Sequence, residues 1–126
     1  MSDGVWRGVF LASAIFNFIV GISLAFDSSE MAASMGLEVA RYDAFWSPLA
    51  AWFVILFGVL YLVVRRDLNN RAIAFVGMVG KLGVVALVTL AWVRGLAPFA
   101  MVGLTLVDLA FAVLFALFLL TRRSAA

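Results

Sequence analysis

Four apolar stretches, each about as long as the roughly 20 residues a helix needs to cross a bilayer, take up most of this 126-residue chain. They run from about Val5 to Phe26, Phe45 to Val64, Ala72 to Val93 and Phe99 to Leu120. The hydrocarbon interior offers no water to backbone N–H and C=O groups. A chain of this kind therefore crosses as helices, which satisfy those groups internally. The pattern predicts an all-α fold: a four-helix transmembrane bundle forming a single integral membrane domain over residues 1–126. Composition agrees, with 67% hydrophobic and 13% charged residues, where an ordinary soluble domain carries about 25% charged. Ser23-Leu24-Ala25 resembles the cleavage site of a signal peptide. The first stretch is nevertheless longer than the roughly 7–15 apolar residues of such a peptide, and Arg7 is a thin basic flank, so it reads as a retained spanning helix.

The segments between the apolar stretches set the topology. Asp27 to Asp43 is polar and opens with Asp27-Ser28-Ser29-Glu30, whose Asp and Glu have capping-box spacing. Met31, Ala32, Met35 and Leu37 add a weak apolar face, and Gly36 can stop the turn. This predicts a short interfacial helix between the first and second spanning helices, lying over the end of the bundle, with gating of a pocket as the alternative role. Pro48 is read in the first turn of the second helix, where a missing N–H is harmless. Residues 65–71 form a charged turn, and Arg94-Gly95-Leu96-Ala97-Pro98 a tight connection with Gly to end one helix and Pro to begin the next.

Arg7, Arg65, Arg66, Arg71, Arg122 and Arg123 share one face of such a bundle, whereas the other carries only Arg41 and Arg94. The positive-inside rule then places both termini in the cytoplasm, in what reads as a bacterial inner membrane. Trp6, Trp46, Tyr61 and Trp92 fall near the boundaries, where an aromatic belt is expected. No internal repeat stands out, and the unequal connections on the arginine-poor side speak against an inverted-repeat transporter.

Function is bounded by what the chain lacks. It has no histidine and no cysteine, which removes disulfides, thiol catalysis, thiolate metal sites, haem imidazoles and the usual proton shuttle. No nucleophile elbow, zinc-protease, P-loop or dinucleotide fingerprint occurs. The scattered methionines read as filler. No catalytic residue, metal ligand or cofactor is therefore predicted. The formal net charge of +2 comes from arginines at helix ends and implies no nucleic-acid partner.

Against this apolar background Lys81 and Asp108 stand out. Each lies nine residues inside its helix, about 13–14 Å deep and so near the midplane. A charge there costs at least about 2.5–3.5 kcal/mol, which makes each the natural partner of the other. Asn17 lies at similar depth, and Ser13, Asn17 and Gly21 form a small polar stripe at helical spacing. Gly77, Gly80 and Lys81 form a second stripe, and Thr105, Asp108 and Ala112 a third, all expected to point inward. Trp52 lies too deep for a belt position and is placed in the same interior. The candidate polar core is thus Asn17, Trp52, Lys81 and Asp108, either a structural ion pair fixing the register of helices three and four or a binding or proton-handling site.

Met35-Gly36-Leu37, the run Phe75 to Leu82 around Lys81, and Leu106-Val107-Asp108-Leu109-Ala110-Phe111 resemble the small DoxX-like membrane proteins over nearly the whole chain. The resemblance implies a four-helix membrane fold. Its named branch implies a membrane subunit of a sulfur-compound:quinone oxidoreductase. This chain has no cysteine, and no catalytic residue carries over.

The function expected from these features is a non-catalytic integral membrane protein, an accessory or assembly partner of a larger membrane system. Its partners would be the bilayer and a membrane protein or a second copy. The alternatives are a protein that binds a hydrophobic small molecule, quinone or lipid, at the midplane Lys-Asp-Asn site, and a small proton-coupled transporter.

Overall fold

A computed structural model describes residues 2–26 and 43–122. These residues form four α-helices: α1 Asp3–Phe26, α2 Asp43–Arg66, α3 Arg71–Val93 and α4 Phe99–Thr121. Each contains a span long and apolar enough to cross a membrane, with mean hydropathies of 2.1, 2.1, 2.2 and 2.5 in chain order. The boundaries fall within two residues of those expected. The interfacial helix expected between residues 27 and 43 lies outside the described residues. Because α2 starts at Asp43, Pro48 falls inside the helix and not in its first turn; the apolar span of α2 begins at Pro48 itself.

The turns follow from their residues. Asp67 accepts the backbone N–H of Asn69 at 3.0 Å and the side-chain amide of Asn70 at 3.2 Å, closing the α2–α3 turn. At the end of α3 the N–H of Leu96 reaches the carbonyl of Ala91 (2.8 Å) and that of Gly95 reaches Trp92 (2.9 Å). That pair of bonds is a Schellman motif, and it needs a left-handed residue at Gly95, whose φ is 73°. Pro98 then caps α4 in an extended conformation.

The helices pair as two hairpins. α1 lies closely along α2, and α3 along α4, while the backbones of different hairpins approach much less. Glycines permit the close approach within the first hairpin: a Cβ on Gly21 would lie 2.5 Å from Ile55 and 3.2 Å from the Ala51 carbonyl, and one on Gly58 2.7 Å from the Phe18 ring. Between hairpins the space is filled by aromatic rings. Phe10 stacks on Phe115 with centroids 4.8 Å apart, and Trp6 and Tyr61 meet Phe118 and Phe115 edge-on at 5.3 and 5.1 Å. With Val64, Leu68 and Ala74 these rings form the buried core, at the arginine-bearing end of the bundle. Such ring pairs contribute about 0.5–1.5 kcal/mol beyond their area, which matters where lipid removes the usual hydrophobic drive to associate. Trp6 and Tyr61, expected in an interfacial belt, are therefore core residues, 2% and 1% exposed; Trp46 and Trp92 do lie on the surface.

The second hairpin repeats the burial scheme of the first, contrary to the sequence expectation. Phe10, Ser13 and Asn17 of α1 are buried, and so are Ala74, Gly77 and Lys81 of α3, each 64 positions later. Ala51, Gly58, Tyr61 and Val64 of α2 are buried, and so are Thr105, Ala112, Phe115 and Phe118 of α4, each 54 positions later. Arginine clamps repeat too. Arg7 donates to the terminal carbonyls of Arg65 and Arg66, and Arg71, 64 positions on, donates to those of Arg122 and Leu119. A cation on the negative end of a helix is favourable. Both hairpins begin at the arginine face, so the repeat is parallel and not inverted. It escapes notice in the sequence because the burial repeats while the residue identities do not.

Candidate functional site

The polar residues meet one helical turn beyond the aromatic core. Lys81 lies ten residues into α3, about 15 Å along its axis, and is 4% exposed. Its Nζ donates to Asp108 Oδ1 at 2.8 Å and to Asn17 Oδ1 at 3.2 Å. The Asn17 amide donates in turn to the backbone carbonyl of Val54 at 3.1 Å. The relay Val54, Asn17, Lys81, Asp108 thus takes one group from each of the four helices.

Aromatic rings close over the ammonium. The centroids of Phe16, Tyr61 and Phe111 lie 5.3, 5.4 and 5.3 Å from Nζ, one ring each from α1, α2 and α4. A desolvated cation gains about 2 kcal/mol from a well-placed ring. The rings therefore offset part of the cost of holding a charge at this depth, and the carboxylate and amide oxygens satisfy the ammonium by hydrogen bonds. Asp108 is the more open partner, with 17% of its side chain exposed.

The repeat explains why these positions meet. Asn17 and Lys81 stand 64 residues apart, as do the two clamping arginines, and Val54 and Asp108 stand 54 apart. The Asn17 bond to the Val54 carbonyl and the Lys81 bond to the Asp108 carboxylate are therefore the same contact made twice, once neutral and once charged. The Lys81–Asn17 bond joins the two copies.

The structure brings together Lys81, Asp108 and Asn17, and leaves Trp52 out. Trp52 is 57% exposed. The inward face of α2 runs through Ala51, Gly58 and Tyr61, all buried, and a residue one step from Ala51 is turned about 100° away from it. Of the three small-residue stripes, Ser13, Asn17 and Gly21 are all buried; Gly77 and Lys81 are buried but Gly80 is exposed. Thr105 is buried, but its hydroxyl is taken by the Val102 carbonyl of its own helix at 2.7 Å. Sequence patterning did not single out Phe16, Phe111 or the Val54 carbonyl. Phe111 stands three residues from Asp108, so helical spacing carried a signal for it; Phe16 is adjacent to Asn17, about 100° round the helix, and spacing gave none.

Two further features complete the site. Ser13 Oγ is fully buried and makes no hydrogen bond; it lies one turn from Asn17, at the position equivalent to Gly77. At the arginine face, Arg122 pairs with Asp3, tying the ends of α4 and α1. Among the described residues no cluster of three or more acidic, His or Cys side chains is placed to hold a metal ion. Comparison with protein-family models, with curated proteins and with solved structures finds no match to this chain.

Proposed function

We propose that this chain is a non-catalytic integral membrane protein that serves as an accessory or assembly partner of a larger membrane system, with its charged cluster as an internal lock. The observation that carries this reading is the closed contact of Lys81 with both Asp108 (2.8 Å) and Asn17 (3.2 Å) under three aromatic rings. The ammonium is spent on holding four helices in register, as a structural ion pair requires. Two further proposals go with it. The arginine-rich face and both termini are cytoplasmic, in a bacterial inner membrane, on the positive-inside rule. The chain is also a relative of the DoxX-like membrane proteins, on the residues that carry that resemblance.

The test is recovery of the tagged protein from native membranes in mild detergent. The reading predicts a stoichiometric membrane partner that remains bound when Lys81 and Asp108 are both replaced by apolar residues. A protein that runs alone under conditions preserving other membrane complexes contradicts it.

One observation favours a second reading, a site for a hydrophobic small molecule such as a quinone. Ser13 Oγ is a buried hydroxyl without a partner, one turn from Asn17, and a buried polar atom of that kind is commonly satisfied by something. A quinone bound there would raise the unfolding temperature of the parent protein and leave that of a Ser13→Ala, Asn17→Leu variant unchanged.

A further inference from the structure

The described arginines of the charged face divide into two groups. Arg7 and Arg71 clamp the helix ends, and Arg122 is paired with Asp3. Arg65 and Arg66 contribute their backbone carbonyls to Arg7, and among the described residues their guanidinium groups meet no acidic partner. Asp67, the nearest carboxylate in sequence, is taken up by the turn through Asn69 and Asn70. Two adjacent cations are left at the end of a membrane span with their charge uncommitted.

An open surface hollow of about 240 Å³ lies beside Arg66, lined by Val59, Leu62, Val63 and Arg66. These positions follow the i, i+3, i+4, i+7 pattern and so share one face of α2. They extend about 10 Å along the helix. The three apolar residues lie on the membrane side and the guanidinium at the span's end, Arg66 being the last residue of that span. An apolar helix face ending in a cation at the boundary complements an acyl chain attached to an anionic headgroup. A guanidinium is suited to the headgroup phosphate because its planar donors pair with two oxygens at once.

The repeat supplies an internal reference. Moving 54 positions on, the equivalent face of α4 consists of Val113, Ala116, Leu117 and Leu120. Leu120 stands where α2 has Arg66 and is 75% exposed. That face presents apolar surface to lipid, and the nearest cation beyond it among the described residues, Arg122, is paired with Asp3. Among the described residues, an apolar face ending in a cation without an acidic partner is found on the first hairpin.

We propose that Arg66, supported by Arg65, and the α2 face of Val59, Leu62 and Val63 form a binding site for one anionic phospholipid, its phosphate on the guanidinium and one acyl chain along that face. The site is independent of the Lys81 cluster and of any partner protein.

Native mass spectrometry of the full chain, released from micelles containing phosphatidylglycerol or phosphatidylcholine, tests this. The parent is expected to retain one phosphatidylglycerol in preference to phosphatidylcholine. Arg66→Leu should lower that preference about fivefold, the share of one arginine near a charged membrane surface, and Arg66→Lys should keep most of it. A far-ultraviolet dichroism spectrum matching the parent confirms that each variant is folded, as expected for an exposed position. Equal retention of the two lipids by the parent overturns the proposal. So does an Arg66→Leu variant with unchanged preference, or displacement of the lipid by millimolar inorganic phosphate, which would make the site a simple anion site.

Discussion

The two hairpins carry out one packing plan with different chemistry. Hairpin α1–α2 holds its midplane contact with a neutral amide on a backbone carbonyl, Asn17 to Val54; hairpin α3–α4 holds the equivalent contact with an ion pair, Lys81 to Asp108. Both plans place an arginine on the end of the partner helix, and both bury residues at matching positions. The neutral version shows that the geometry does not need charge. What the charged version adds is reach: the ammonium is long enough to bond within its own hairpin and across to Asn17 as well. The charge thereby couples at the midplane two units that otherwise meet through aromatic rings and, at the arginine face, through the Arg122–Asp3 pair.

That comparison can be broken at several points. The largest effect is expected at the charged contact. Lys81→Met leaves the Asp108 carboxylate without its partner at the midplane and should cost about 3–5 kcal/mol, the usual penalty for removing half of a buried pair. Unfolding in mixed micelles, followed by helical dichroism, measures it. A loss below about 1 kcal/mol would place the pair on a par with a surface contact.

The next effect compares Gly77 with Ser13, equivalent positions in the two hairpins. A Cβ on Gly77 would lie 2.6 Å from the Tyr61 ring and 3.2 Å from Phe115. Gly77→Ala is therefore expected to cost about 1–3 kcal/mol through overpacking. Gly83, with nothing within 4 Å of such an atom, serves as the control, and Gly83→Ala should leave unfolding nearly unchanged. Equal responses at residues 77 and 83 would mean that the ring packing is looser than described.

The neutral contact should respond less. Asn17→Leu removes the bond to Val54 and one acceptor from Lys81, and hydrogen bonds between membrane helices average only about 0.6 kcal/mol, with a maximum near 1.7. A loss of about 1 kcal/mol is expected by the same unfolding assay. A loss as large as that of Lys81→Met would make Asn17, and not the ion pair, the centre of the cluster. The smallest effect, and the one of opposite sign, belongs to Ser13→Ala. Removing a buried hydroxyl that has no partner should stabilise the protein by about 1 kcal/mol. Destabilisation instead would show that the hydroxyl is satisfied by a bound molecule, and would strengthen the small-molecule reading.

Much of this architecture was legible in the sequence, for physical reasons. A bilayer dictates helix length and forces helical structure, so the four spans could be read to within two residues. The Lys81–Asp108 contact followed from depth and from the short Gly95–Pro98 connection, which makes α3 and α4 antiparallel neighbours. Asn17 followed from depth and from its place in the Ser13, Asn17, Gly21 stripe. Rotational phase was harder to read, because apolar residues surround each of these helices and give little amphipathic signal. That is why the sequence turns Trp52 inward where Ala51 holds the inward position, and sets Trp6 and Tyr61 at the boundary where both are core. The repeat was hidden for a related reason. Phe10 and Ala74, Ser13 and Gly77, Asn17 and Lys81 share places and not chemistry, so only burial makes them equivalent. The arginines had a sufficient explanation in topology, which concealed the clamping of helix ends by Arg7 and Arg71.

The central claim is that Lys81 and Asp108 act as one closed structural unit. A double-mutant cycle with Lys81→Met, Asp108→Leu and the combined variant, read as unfolding free energy in mixed micelles, tests it most directly. Replacing both members of a buried ion pair with apolar groups of similar size is often neutral, although removing one is costly. The account predicts a combined variant within about 1 kcal/mol of the parent and a coupling energy of at least about 3 kcal/mol. Single losses that simply add, with a coupling below about 0.5 kcal/mol, would contradict it.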